Sequence, residues 1–129
     1  MILLDSSDKR PIYEQITDKL SELMLKGVLA ENDPLPSVRN FAAELSINPN
    51  TVQRAYNELD KLGFTYTVKG KGNFVAGIAN IRKQKVKQLL EEFTENVNSL
   101  KAADVDKNDI ISQINEIYDN KNTKGGDSL

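Results

Sequence analysis

With 129 residues, 39% of them hydrophobic, the chain has room for one domain, or one small domain with an appendage, and its apolar content is low enough that a dimer is the expected state. Cysteine, histidine and tryptophan are absent, which excludes disulfides and thiolate metal sites and removes the commonest general base; a cytoplasmic protein with no metal and no cofactor is expected. The net charge of −2 hides an uneven distribution, because Lys61, Lys69, Lys71, Arg82, Lys83, Lys85 and Lys87 share a stretch with no Asp or Glu, so +7 there stands against −9 elsewhere.

Such a strip fits either a local anionic partner or a solvated loop and helix start. No apolar run approaches a membrane span, and the opening "MILLDSSDKRP" is too short and too acidic for a signal peptide. Pro11 suits the first turn of a helix, where its missing N–H would be unpaired anyway. Ile12, Ile16, Leu20, Leu23 and Met24 follow at helical spacing, and Gly27 is the expected stop. "LAENDPLP" reads as a loop, with Leu35 between its prolines placed for a short strand or bridge.

A second, short helix is expected from Ser37 to Leu45, with Val38, Phe41, Ala42 and Leu45 facing inward. "SIN" is a link of about three residues. Asn48 then caps a third helix that has Pro49 at its first position and ends at Gly63. The third helix turns Val52, Ala55, Tyr56, Leu59 and Leu62 to one side and Asn50, Gln53, Arg54, Asn57 and Lys61 to the other. Two helices joined by so short a turn make a helix-turn-helix, with Ser46 where glycine is usual. "FTYTV" alternates Phe64, Tyr66 and Val68 against Thr65 and Thr67, a strand pattern; "KGKG" turns the chain, and "NFV" starts the return. The hairpin supplies a wing.

Beyond the wing, a helix from about Ala79 to Leu100 carries Val86, Leu89, Leu90, Phe93, Val97 and Leu100. "KAADV" breaks it. Asp106 caps a last helix striped with Ile110, Ile111, Ile114, Ile117 and Tyr118, and Asp109 sits in its first turn, where the helix dipole favours an acid. Two such helices cannot bury both stripes alone, so a second copy of the chain is the expected cover; Phe93 and Tyr118 also stand where they would border a small cavity. The fold class is mainly α (α+β): a winged helix-turn-helix over 1–77, a two-helix dimerisation region over 78–120, and a disordered tail over 121–129.

"PIYEQI", "LPSVRNFAAELSINPNTVQRAYNEL" and "GKGNFV" together resemble the GntR family of bacterial transcription regulators over Pro11 to Val75. The 52 residues after Gly77, read as two helices, are similar to the tail of the short YtrA-type members, in which that part serves dimerisation. Two positions depart from the family pattern. Asn32 stands where glycine is usual, and Asn tolerates positive φ better than most residues. Asn73 replaces the usual threonine of the wing, which bears on a backbone or phosphate contact.

The resemblance implies a cytoplasmic homodimer that binds a palindromic operator in double-stranded DNA, acting as a repressor by occupying a promoter. Helix 48–62 would enter the major groove, where amides and guanidinium groups read base edges, through Asn50, Gln53, Arg54 and Asn57. Asn48 and Thr51 stand at the helix start, where free N–H groups favour a phosphate. Arg39 is expected to reach a phosphate or a guanine edge, and Ser37 to cap its helix, touch phosphate, or both. Wing residues Lys69, Gly70, Lys71 and Gly72 would approach the minor groove. Plainer readings stand beside these: a solvated third helix with Arg54 paired to Glu58, and a hairpin that needs glycine only for its turn. "GKG" lacks the full pattern of a nucleotide-binding loop and does not lead from a strand into a helix. Two functional alternatives remain. One is a protein-docking winged helix, which would expose aromatics on the third helix; the other adds a small-molecule effector in a pocket between tail and head. No catalytic constellation is present.

Overall fold

The computed structural model describes residues 4–120. The elements run α1 (Ile12–Leu25), α2 (Val38–Leu45), α3 (Pro49–Lys61), β1 (Thr65–Val68), β2 (Gly72–Val75), α4 (Ile78–Ala102) and α5 (Lys107–Asp119). They form two compact units that divide between Lys87 and Gln88. The tail expected at 121–129 lies outside the described residues.

The first unit is a three-helix head with a hairpin. Ile16, Leu20 and Met24 of α1 meet Phe41, Val52, Ala55, Tyr56 and Leu59 in a fully buried core, closed by Phe64, Val75 and Ile81. Ile81 brings the start of α4 into this unit, and the Asn80 amide donates to the Gly63 carbonyl at 3.0 Å. The apolar spacing of each helix explains the packing: one stripe per helix faces a common centre. Phe41 and Tyr56 stack with centroids 6.2 Å apart, and the Tyr56 hydroxyl donates to the Pro36 carbonyl at 2.7 Å. That bond ties α3 to the entry of α2 from inside the core.

The caps follow the expected chemistry. The Ser37 hydroxyl accepts from the Asn40 backbone N–H at 3.1 Å, and the Asn48 side chain from that of Asn50 at 2.8 Å, with Pro49 opening α3. Between α2 and α3, Ser46 takes the left-handed conformation (φ +56°, ψ +45°) that glycine would adopt without cost. Asn32 does the same at φ +69°.

The hairpin is antiparallel, with Thr65 opposite Val75, Tyr66 opposite Phe74, Thr67 opposite Asn73 and Val68 opposite Gly72. A third short segment joins it: Pro34 bridges Phe74, and the Leu35 N–H donates to the Asn73 carbonyl at 2.9 Å. The bridge thus centres one residue before Leu35. The strand read from the alternation of 64–68 is present, and the structure decides which of its faces turns inward. Thr65 is buried and Tyr66 is 40% exposed, because the hairpin turns its threonine face toward the end of α3. Tyr66 stacks on Phe74 at 5.7 Å and donates its hydroxyl to the Asn32 side chain at 2.8 Å.

In the second unit, the rest of α4 and all of α5 line an apolar groove of about 410 Å3, walled by Phe93, Val97, Leu100, Ile110, Ile114 and Ile117. Leu89, Leu90, Phe93 and Leu100 of α4 and Ile111 and Ile117 of α5 stay at least 40% exposed, and no residue of α5 is buried. Val86, just before the division, is 49% exposed. Tyr118, 85% exposed, stands outside the groove that Phe93 borders.

Candidate nucleic-acid interface

The interface is built on α3. Val52, Ala55, Tyr56 and Leu59 are buried, which leaves Asn50, Gln53, Arg54 and Asn57 exposed on the opposite side. Because buried and exposed positions alternate at helical spacing, the core itself orients the polar stripe outward. Asn48 is exposed at the N-terminus beside Thr51, which is half-buried; Pro49 has no N–H, the Asn50 N–H donates to the Asn48 side chain and the Thr51 N–H to the Asn48 carbonyl, so this turn offers side chains and not the free backbone donors expected from the sequence. Ser37 serves as a cap, and Arg39 is exposed on the first turn of α2.

Two partners on this face were not evident from spacing. The Arg54 guanidinium lies over the Tyr13 ring, 3.9 Å from its centroid, so its planar group is held by α1 rather than by Glu58. The Gln53 amide nitrogen donates to the Asn57 side-chain oxygen at 2.9 Å. Tyr13 belongs to the "PIYEQI" motif, but nothing in local periodicity pairs it with a residue 41 positions on.

Lys69, Gly70, Lys71 and Gly72 form the exposed wing tip. Gly70 at φ +79° and Gly72 at φ +112° occupy backbone conformations that L side chains rarely adopt, and the Lys71 N–H closes the turn on the Val68 carbonyl at 2.9 Å. A polar latch fixes this hairpin to α3. The Asp60 carboxylate accepts from the Thr65 and Thr67 hydroxyls and from the Asn73 amide, at 3.3 and 3.4 Å for the last. Asn73 also donates to Thr67 at 3.0 Å. Asn73 is therefore a latch residue, directed at the helix instead of a ligand. Sequence reading overlooked Asp60, which looks like an ordinary solvated acid near a helix end.

A capped helix with an outward stripe of amides and guanidinium, followed at once by a latched, glycine-tipped wing, defines a winged helix-turn-helix DNA-binding head. Comparison with known proteins agrees. Residues 12–75 match the family described as bacterial regulatory proteins, gntR family. The HTH-type transcriptional repressor YtrA of Bacillus subtilis (strain 168) is 39% identical over 99 residues, covering 70% of this chain and 76% of the relative. Among solved structures, a transcriptional antiterminator from Listeria monocytogenes EGD-e superposes with a TM-score of 0.67 at 34% identity, covering 90% of this chain and 88% of that one. The AraR DNA-binding domain in complex with operator ORR3 superposes with a TM-score of 0.51 at 25% identity, over 59% of this chain and 92% of that one. The chain belongs to the GntR family, as a short, YtrA-like DNA-binding transcription regulator. The family consists of regulators and not enzymes. No helix among the described residues is long and apolar enough to cross a membrane.

Proposed function

We propose that this protein is a homodimeric repressor that occupies a roughly palindromic operator in double-stranded DNA. The observation that carries the reading is the joint exposure of the α3 stripe and the wing tip on one latched head. α3 enters the major groove, where Asn50 and Gln53 face base edges with Asn57 bonded to Gln53 beside them; Arg39, Asn48, Thr51 and the Tyr13-held Arg54 serve the backbone around them. Lys69 to Gly72 approach the adjoining minor groove. A similar head, the AraR DNA-binding domain, is solved in complex with an operator, which supports DNA as the partner. The name of the Bacillus relative supports repression.

Dimerisation rests on the second unit, with Val86 just before it on the same helix. Val86, Leu89, Leu90, Phe93, Val97 and Leu100 on α4, with Ile110, Ile111, Ile114, Ile117 and Tyr118 on α5, leave an apolar surface that a second copy of the same two helices complements. Two heads then address half-sites about one helical turn, 34–36 Å, apart. The groove of the second unit favours a second reading, in which a small apolar effector enters there and changes how the dimer holds its heads.

The test is binding to the DNA upstream of the protein's own gene and to random duplex, across a salt series. Preference for the upstream DNA and a log–log salt slope of about 0.9 per neutralised phosphate are expected. Sedimentation of the free protein should give a dimer. A monomer, or a flat salt response without sequence preference, refutes the reading in favour of a protein-docking head.

A further inference from the structure

The polar stripe of α3 is partly organised before any DNA arrives. Gln53 and Asn57 are four residues apart, one helical turn, and both are exposed. The Gln53 nitrogen uses one of its two hydrogens on the Asn57 oxygen at 2.9 Å. Asn57 therefore changes what Gln53 can offer to a base. A free glutamine amide presents two donors and one acceptor and can satisfy several base edges. With one donor already used, Gln53 retains one N–H and its carbonyl oxygen.

The four major-groove edges respond differently to that set. Adenine offers an N6 donor beside an N7 acceptor, which matches one acceptor and one donor. Guanine offers O6 and N7, two acceptors, and would set the Gln53 oxygen against one of them. Cytosine and thymine each supply a single partner for the pair of groups. Holding the amide in place also removes part of the rotamer freedom that a glutamine loses on binding.

We infer that Asn57 is a positioning residue that orients Gln53 to read one adenine in each operator half-site. This rests on the DNA-reading assignment above. Arg54, held over Tyr13, and the wing lysines supply affinity without base preference at that position.

The experiment is selection of preferred duplexes from a random library by the full chain, followed by affinity measurements on the winner with single base replacements. Each half-site should contain one adenine whose replacement by guanine costs about tenfold to a hundredfold, and whose replacement by 7-deazaadenine, which lacks the N7 acceptor, costs about tenfold. Gln53→Ala should erase the preference at that base pair. Asn57→Ala should relax it at the same base pair, with affinity for random duplex and the salt slope unchanged. Asn57→Asp, which keeps an acceptor for Gln53, should retain the adenine preference while weakening binding to every duplex alike. In Asn57→Ala, by contrast, a purely structural role would lower all affinities together without touching the preference, and that result overturns the inference.

If the two alanine variants relax different base pairs, Asn57 reads its own base and the inference falls. It also falls if the shared base pair presents guanine, which would mean that the amides pair in the opposite sense. Failure of selection to enrich any sequence, with salt-independent binding, overturns the DNA-reading assignment itself, so the two failures are told apart.

Discussion

Replacing Asp60 by Ala should loosen the wing without touching either DNA-facing surface. The carboxylate accepts from Thr65, Thr67 and Asn73, but the three donors do not suffer equally. Thr67 is exposed and regains water, and Asn73 keeps its bond to Thr67 at 3.0 Å. Thr65 is only 4% exposed, so its hydroxyl loses its partner with little access to water, a cost of about 1–3 kcal/mol. Removing an acid from the C-terminal end of α3 returns roughly 0.3–1 kcal/mol through the helix dipole. The net loss should be about 1–2 kcal/mol, or roughly 5–15 °C in the Tm of a head of this size. Asp60→Asn keeps one acceptor oxygen and should fall between the two. Urea and thermal unfolding measure the stability. DNA titrations well below the Tm, with Lys69→Gln and Lys71→Gln combined in both backgrounds, measure whether the latch presents the wing. Those lysine substitutions should cost less affinity once Asp60 is gone. Strict additivity, or a Tm within about 2 °C of the parent, would refute the latch.

Tyr56→Phe keeps the ring on Phe41 but leaves the Pro36 carbonyl without its donor, and should destabilise the head by about 1–2 kcal/mol in urea unfolding. Burial pushes the Tyr56 hydroxyl above its ordinary value of 10.0, so its contribution is full below pH 10.0 and falls as pH rises through the folded value; unfolding curves of Tyr56→Phe should lack that part of the alkaline decline. Ser46→Gly relieves a left-handed backbone conformation and, after the greater chain entropy of glycine, should stabilise by up to about 1 kcal/mol, read as a rise in urea midpoint. A double-mutant cycle between Tyr13→Leu and Arg54→Ala should give a coupling of about 0.5–1 kcal/mol in stability, and Tyr13→Leu should weaken specific and random DNA alike, which competition titrations resolve.

Much of the head was legible because its signals are local. Pro49 after Asn48, the run of Val52, Ala55, Tyr56 and Leu59 at helical spacing, and the glycines of the wing each depend on neighbours within a turn or two. Asn32 was readable for the same reason, since a backbone that needs positive φ restricts the residue at that position alone. The exposed set on α3 followed at once from the buried set. Alternation identified the strand but not which of its faces turns inward, and the structure buries Thr65 while leaving Tyr66 40% exposed. That choice goes with the carboxylate of Asp60, which holds Thr65 and Thr67 toward the helix.

By itself, then, the sequence determined the order and type of the elements, the stripe on the third helix and the glycine-tipped wing, since periodicity, capping and turn chemistry act over a few residues. Tertiary structure alone decided which exposed side chains are held and by what. Arg54 rests on Tyr13 and Asp60 gathers Thr65, Thr67 and Asn73, pairings that arise only once packed helices and strands bring distant positions within hydrogen-bond or ring-contact range.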